Sequence, residues 1–175
     1  MKVRRLIGTL VCACMVIVLL CGCGSKEHAT PFDGMLDIDT NKIYRLGDSK
    51  AKFDEDFGFG EFDADKDRYS YLSDNLHVTY DENDNASEIM VDGTTNRFEF
   101  YNFTFSTDIA SIEGRYERKD VAGYHFYSLY FDKNGDICKL SKAAVTAQLM
   151  VRDGDLLDMK DGQYLHYSIE ARTPW

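Results

Sequence analysis

The sequence predicts an α+β domain in residues 32–175, in which short helices pack on one side of an antiparallel sheet. Apolar and polar residues alternate from residue 68 to residue 91, and turn residues interrupt the alternation at short intervals, which is typical of an antiparallel meander. Residues 48–58 and 107–114 each begin with a helix-capping residue and end at a glycine, which indicates two short helices. The predicted sheet is thus built from two related helix-plus-meander units.

The first half of the domain opens with a brief strand or hairpin over residues 32–44, which contains Asp-Gly and Thr-Asn turn signals. In the short helix that follows, Phe53 and Phe57 lie on one face, and Gly58 can end the helix. The Gly- and Asp-rich residues 59–66 predict a loop. Three strands of the meander are then predicted, at residues 69–72, 76–80 and 87–91.

The second half of the domain is rich in aromatic residues. Residues 97–105 carry aromatic side chains on both faces of the predicted strand, so we expect this strand to be covered on both sides. The turn-rich residues 152–163 separate the last two strands. Four further strands are predicted, at residues 124–131, 137–140, 143–151 and 164–169.

The N-terminus has the form of a bacterial lipoprotein export signal. Lys2, Arg4 and Arg5 provide positive charge, and residues 6–20 form an apolar run of 15 residues. This run is shorter than the roughly 20 apolar residues that a membrane-spanning helix needs. Residues 1–22 are therefore predicted to be a signal peptide. The alternatives are an uncleaved membrane anchor and a secretory signal that is cut elsewhere.

Cys23 is the predicted lipidation site. Leu20 lies three positions before it and Gly22 immediately before it, as in a lipobox, whereas Cys21 would have a bulky leucine at its cleavage position. Acyl chains on Cys23 would hold the protein in a membrane, because each buried methylene contributes about 0.8 kcal/mol. Residues 23–31 would then be a lipidated tether, and the domain would lie on the extracytoplasmic face of the cell membrane or of an outer membrane.

The mature chain is strongly acidic. Removing the three basic residues of the signal from the 20 in the whole chain leaves 17 against 30 acidic residues, a formal charge of −13 for residues 23–175. This charge is repelled by phosphate backbones and by anionic lipid. Nucleic-acid binding is therefore disfavoured, and membrane contact is expected to come from the acyl chains.

The residues predict no catalytic, cofactor or metal site. Cys138 is the only mature cysteine besides Cys23, so no intramolecular disulfide is expected, and its strand-like surroundings indicate a buried, inert thiol. No nucleophile elbow, phosphate loop or dinucleotide fingerprint occurs. The four histidines are scattered and form no metal-binding cluster: His28, His77, His125 and His166.

Two acidic stretches, at residues 63–67 and 81–85, place oxygen-bearing side chains at alternate positions, as the start of an EF-hand loop does. Both lack the glycine at loop position six, where Arg68 and Ala86 stand, and neither has helices on both sides. Solvated turns are the favoured interpretation, and the second stretch is expected at the tip of a hairpin.

Two stretches of the chain are similar to each other. Residues 78–83 read Val-Thr-Tyr-Asp-Glu-Asn, and residues 129–134 read Leu-Tyr-Phe-Asp-Lys-Asn, with an apolar residue eight positions after the aspartate in both. Their offset of 51 residues predicts duplicated supersecondary units at about 43–92 and 97–142 that share a core.

The first unit resembles the repeat of the β-lactamase-inhibitor-protein-like fold, which includes small lipoproteins of envelope assembly. The resemblance is carried by Leu-Gly-Asp-Ser at residues 46–49, the helix that ends at Gly58, and the strand residues 69–71 and 78–83, and it covers about residues 43–140. It implies tandem helix-and-sheet units that bind other proteins rather than catalyse. The inhibitor's disulfides have no counterpart in this chain, so inhibition of a β-lactamase is not expected.

The leading functional hypothesis is a lipid-anchored extracytoplasmic module that interacts with another envelope or secreted protein. The alternative is a ligand-binding, glycan-binding or adhesive surface lipoprotein, in which the aromatic residues of 124–131 would line a groove, although packing in a sheet core is favoured for them. A hydrolase ranks third, because it would need a cleft with paired carboxylates or an activated serine or histidine.

Overall fold

The computed structural model describes residues 30–73, 75–93, 96–101, 103–104, 114–121, 123–152 and 166–172. These residues form two antiparallel sheets and one α-helix. In chain order the elements are β1 Gly34–Asp37, β2 Lys42–Arg45, α1 Lys50–Phe57, β3 Glu61–Asp63, β4 Arg68–Tyr71, β5 Leu76–Tyr80, β6 Ala86–Asp92, β7 Phe98–Glu99, β8 Glu117–Val121, β9 Tyr124–Phe131, β10 Val145–Arg152 and β11 His166–Ala171.

The small sheet has the strand order β2-β1-β7, and the large sheet has the order β3-β4-β5-β6-β11-β10-β9-β8. Every neighbouring pair is antiparallel. The large sheet is therefore two four-stranded meanders, β3 to β6 and β8 to β11, which meet where Ile89 of β6 pairs with Ile169 of β11. The antiparallel part of the predicted fold class is confirmed.

The hydrophobic core lies against one face of the large sheet, which we call the core face. From α1, Phe53 contacts Tyr71 with ring centroids 6.1 Å apart, and Phe103 stacks on Tyr167 at 4.9 Å. These contacts place α1 and the small sheet on the same side of the large sheet. The largest fully buried side chains are Met35, Tyr44, Phe53, Leu76, Ile89, Phe98, Phe100, Tyr127, Phe131, Leu149, Tyr167 and Ile169.

The helix α1 is confirmed where the sequence predicts it. Ser49 precedes it in an extended conformation, and Gly58 ends it with φ = 82°, a left-handed value that favours glycine. Phe53 is fully buried, and the exposed surface of α1 is charged, with Lys50 bonded to Asp54 at 2.6 Å. The spacing of the two phenylalanines therefore fixes which side of α1 meets the sheet.

Two strand predictions in the first half need correction. Residues 59–66 are not only a loop, because they contain β3, which pairs with β4 at the edge of the large sheet. The predicted strand 97–105 is reduced to β7 and an isolated bridge between Phe100 and Phe103, whose backbones bond to each other at 2.8 and 2.7 Å. Phe98, Phe100 and Phe103 are buried, and their rings enter the same core.

In the second half, one strand prediction is wrong and one observed strand was not predicted. Residues 137–140 do not form a strand: Ile137 makes an isolated bridge with Phe131, and a short 3₁₀ helix, Leu140–Lys142, follows. No pattern in the sequence indicated β8, whose five residues are all exposed. An edge strand that is charged and exposed lacks the apolar alternation by which strands are recognised.

The second predicted helix falls largely outside the described residues, which omit 105–113, and Gly114 lies in a turn. The predicted fold class contained several short helices, but α1 is the one α-helix in the described part of the chain.

The two similar stretches form turns of the same construction. The Asp81 carboxylate accepts backbone hydrogen bonds from the second and fourth residues after it, both at 2.9 Å, and the Asp132 carboxylate does the same at 2.8 and 3.1 Å. Beyond the turns they differ, because Ile89 lies in β6 whereas Leu140 lies in the 3₁₀ helix. Counted inward from the two edges of the large sheet, β5 and β10 are both the third strand. The sequence repeat instead aligns β5 with β9, which is the second strand from its edge.

Candidate functional site

The candidate site is the side of the large sheet that points away from α1 and the small sheet, and we call it the open face because no described helix or strand packs on it. Three side chains at its centre, His77, Ser128 and Ser168, are nevertheless buried. Strand registers place its side chains in rows. The central row crosses six strands and consists of Ser70, His77, Met90, Ser168, Gln148 and Ser128. The centre of the face is therefore polar except for Met90, and half of its side chains are serines.

Larger side chains flank this central row on both sides. Met150 and Phe126 lie opposite each other on β10 and β9, and Tyr130 lies farther along β9. These side chains and Met90 are half-buried. Methionine and aromatic residues are enriched at protein interfaces, where flexible thioethers and rigid rings provide contact area. The open face thus combines a polar centre with apolar contact groups.

Three side chains of the open face form a hydrogen-bonded chain. The Ser70 hydroxyl lies 3.0 Å from Nδ1 of His77, and Nε2 of His77 lies 2.9 Å from a carboxylate oxygen of Asp92. His77 is only 2% exposed. Two bonds on its imidazole satisfy both ring nitrogens, as burial of a polar ring requires.

Hydroxyl, imidazole and carboxylate are the groups used in nucleophilic catalysis, but that chemistry also needs hydrogen-bond donors for an oxyanion beside the nucleophile. Ser70 lies in β4 with a paired strand on each side, so its backbone N–H belongs to the sheet. What the arrangement does in the described geometry is tie β4, β5 and β6 together across the open face.

An acidic pair lies beside the central row. Glu88 of β6 is directly opposite Glu170 of β11. Burial first, and the negative charge of Glu170 second, raise the pKa of Glu88, while the Thr79 hydroxyl and Arg68 act in the opposite direction. Ionised Glu88 is therefore a locally unfavourable charge in the folded protein.

Glu88→Gln is expected to stabilise the fold at pH 7 by about 0.5 kcal/mol, the scale of a cross-strand like-charge pair. Because folding raises the pKa of Glu88, the free energy of unfolding of the wild type falls as the pH rises through the folded-state pKa. Below the unfolded-state pKa this loss of stability is absent. Urea unfolding at pH 7 should favour the variant, and the difference should disappear below about pH 4. Glu82→Gln, in an exposed turn, is the control. A variant as stable as wild type at pH 7 would contradict the prediction.

The structure separates the predicted site residues. Cys23 and His28 lie outside the described part of the chain. Cys138 is half-buried between an isolated bridge and the 3₁₀ helix, so the prediction of a buried strand thiol is wrong. The physical reason is that this segment only touches the edge of β9, through one backbone bond from Cys138 to Tyr130 at 2.9 Å, and does not continue as a covered strand.

Two of the strand histidines, His77 and His125, are buried. His77 bonds to Asp92, and His125 bonds to Asp120 at 2.7 Å. His166 lies in β11. Each of the two bonded rings has a carboxylate partner on a neighbouring strand, which compensates the burial of its nitrogens.

The aromatic residues of β9 divide between the two faces. Tyr127 and Phe131 are fully buried in the core, as packing predicts. Tyr124, Phe126 and Tyr130 alternate with them and lie half-buried on the open face. The groove hypothesis therefore applies to three of the five rings at most.

The acidic stretches form turns. Residues 81–85 are the tip of the β5–β6 hairpin, as predicted, and the other stretch follows β3, with the N–H of Asp65 bonded to Asp63 at 3.1 Å. Among the residues that the structure describes, no group of three or more His, Cys, Asp or Glu side chains is arranged to hold a metal ion.

Sequence reasoning missed the chain through Ser70, His77 and Asp92. The feature that could have revealed it is the strand register, because the turn after Tyr71 places Ser70 opposite His77 on the next strand. Asp92 joins them diagonally from β6, fifteen residues after His77. Only pairing, and not proximity along the chain, brings these groups together.

Over the described ranges, the chain belongs to the class of predominantly antiparallel β-sheet proteins, with one helix packed on the core face. Comparisons with protein-family models, curated proteins and solved structures found no match. No helix in the described ranges has the length and apolar character to cross a membrane.

Proposed function

We propose that this protein is a lipid-anchored, extracytoplasmic lipoprotein that binds another envelope or secreted protein through the open face, without catalysis. The observation that carries the binding part is the open face itself. It is eight strands wide, its central row is polar except for Met90, and Phe126, Tyr130 and Met150 flank that row. The anchoring part rests on the lipobox at Cys23.

A lipid anchor and an interaction surface complement each other physically. Two or three acyl chains on Cys23 hold the domain at a membrane, whereas one chain would detach readily. Confinement to a surface raises the effective concentration of the domain for partners on the same membrane, so a moderate intrinsic affinity is sufficient. The proposed partner is therefore another protein of the same envelope or one that passes through it.

The continuous sheet adds support for this class of function. Two four-stranded meanders lie side by side in it, but they are not the repeat units 43–92 and 97–142, because β10 and β11 lie beyond residue 142. We extend the resemblance to the β-lactamase-inhibitor-protein-like fold to function only as a proposal: a continuous sheet face is a surface on which a folded partner can bind.

The experiment uses the full chain in its own cells, with a photoreactive amino acid at Phe126 or Met150 of the open face and, as the control, at Phe59, which is 90% exposed at the far edge of the sheet. We expect one reproducible protein adduct from both open-face positions and none from Phe59. In parallel, Cys23→Ser should leave the mature terminus without acyl chains by mass spectrometry and release the protein from membranes.

Two results would contradict the proposal. An acylated protein with no adduct at either open-face position would remove the binding part and leave the anchor. Unchanged membrane retention of Cys23→Ser would remove the anchor. Glycan-dependent thermal stabilisation that is lost in Phe126→Ala would instead favour the ligand-binding alternative, for which three half-buried rings of β9 are available.

A further inference from the structure

The described chain has a cleft of about 620 Å³ at the outer edge of β9. Its floor includes Ser128 and Tyr130, and the segment from Ile137 to Ser141 forms one wall. The cleft exists because β8 covers only the first part of the β9 edge, where Glu117 pairs with Ser128, and the chain returns to that edge at Ile137.

Cationic side chains gather at this cleft. Arg115, Lys139 and Arg172 line it together with one carboxylate, Glu117. None of the three cations forms a salt bridge within the described residues. The segment 133–142 holds three lysines and one aspartate, in a mature chain whose formal charge is −13. The cleft is therefore a local exception to the acidity of the molecule.

Exposed apolar side chains accompany these cations. Ile137 is 60% exposed and Leu140 is 48% exposed, and both line the cleft. Large apolar side chains beside lysines and arginines are the composition of surfaces that insert shallowly between lipid headgroups.

The start of the folded domain lies next to this cleft. The Phe32 ring contacts Phe131 with centroids 5.6 Å apart, and a Cβ at Gly135 would lie 2.6 Å from the same ring. Phe131 is the bridge partner of Ile137, so the chain enters the domain beside the segment that forms the cleft wall. Thr30 is seven positions after Cys23, so the two residues can be about 25 Å apart at most.

We propose that the cleft and its rim, Arg115, Ile137, Lys139, Leu140 and Arg172, form a docking surface for the phospholipid bilayer, with the cations on lipid phosphates and the apolar side chains between headgroups. This inference rests on the proposed lipid anchor, which brings the domain to the membrane. An anionic membrane surface repels the acidic rest of the domain and attracts the cations of the cleft. Both effects favour the orientation in which the cleft faces the membrane. The open face is then held in a fixed relation to the membrane.

The test uses the full lipidated protein in phosphatidylethanolamine–phosphatidylglycerol vesicles. Trp175→Phe removes the only tryptophan, and Leu140→Trp or Phe59→Trp adds one at the proposed surface or at the opposite edge. With brominated acyl chains we expect about twofold lower fluorescence at position 140, because docked apolar side chains lie about 5–10 Å into the interface. Position 59 should be unaffected.

A charge reversal tests the role of the cations. Lys139→Glu with Arg172→Glu should abolish the quenching at position 140 while flotation with vesicles persists, because each Lys or Arg near an anionic surface strengthens binding roughly fivefold. High salt should act in the same direction.

The outcomes separate the inference from the proposed function. Vesicle flotation without quenching at position 140, or quenching that survives the charge reversal, overturns the docking surface and leaves the anchor intact. Failure to float overturns the anchor and the docking surface with it. Inorganic phosphate is the probe for a soluble ligand: if it protects Cys138 in the cleft from a thiol reagent and position 140 is not quenched in vesicles, the cleft binds a free anion instead.

Discussion

Arg97→Ala is expected to lower the free energy of unfolding by about 3–5 kcal/mol, the range for breaking a buried ion pair by removing one partner. Asp37 is fully buried in β1, and the Arg97 guanidinium donates to both of its carboxylate oxygens, at 2.9 and 2.6 Å. Without Arg97 a buried carboxylate would lose its charge partner and two hydrogen bonds. The guanidinium also lies 5.5 Å from the Phe57 ring centre, so packing between the small sheet and α1 would weaken as well.

The matched control is Arg45→Ala. Arg45 pairs with Asp33 at 2.6 Å, but the arginine is half exposed, and surface pairs contribute about 0–1 kcal/mol. Urea unfolding of the three proteins at neutral pH gives the comparison. Equal losses for the two arginine variants would show that burial of Asp37 is not what makes Arg97 important.

The pH dependence of the Arg97 effect has a definite sign. Burial would raise the pKa of Asp37, but the hydrogen bonds and charge of Arg97 outweigh it and hold this pKa below its ordinary value. A lowered carboxyl pKa contributes stability above the unfolded-state value, near 3.8, and this stability is lost as pH falls through the folded-state pKa. The gap between wild type and Arg97→Ala should therefore narrow below about pH 4.

Phe53→Ala is expected to cost about 3–5 kcal/mol, as large-to-small changes of buried phenylalanines do. The Phe53 ring is fully buried and lies 5.3 Å from Tyr44, 6.1 Å from Tyr71 and 6.0 Å from Tyr80. These rings are fixed by other bonds, including 3.0 Å from the Tyr71 hydroxyl to Asp54, so they cannot readily collapse into the space. The loss should appear as detachment of α1 and a lower unfolding midpoint.

Phe59→Ala is the control, because this phenylalanine is almost fully exposed. We expect its stability to stay within about 0.5 kcal/mol of wild type, as for ordinary surface substitutions. Amide hydrogen exchange adds a local measure: in Phe53→Ala the amides of α1 should exchange faster than those of β10. A loss of stability at Phe53 no larger than at Phe59 would show that α1 contributes little to the core.

Local patterns predicted much of the fold. The β5–β6 hairpin follows from alternation and from Asp81, whose carboxylate binds the backbone of its own turn. The helix α1 follows from the two phenylalanines four positions apart and from Gly58, whereas Ser49 stands at the N-cap position without a side-chain capping bond. Each of these signals acts between residues a few positions apart, so the sequence alone contains the physical cause.

The features that the sequence did not predict involve residues whose conformation, burial or hydrogen bonding depends on partners far away in the chain. The charged β8 is a strand because it pairs with the edge of β9, not because of its own composition. Cys138 is half-buried because the chain reaches that edge only at an isolated bridge. The Ser70–His77–Asp92 chain required the registers of two strand pairs at once.

Local sequence patterns are sufficient for the alternating strands, the aspartate turns and the end of α1 at Gly58, and they predict a lipid anchor at Cys23. Which face of the large sheet receives α1 and the small sheet depends on the fold as a whole. That choice of face depends on the pairing of Ile89 with Ile169, eighty positions apart, and on rings that reach one core from α1 and the small sheet. Pairing over such separations is selected by the sum of many contacts, which no short stretch of sequence contains.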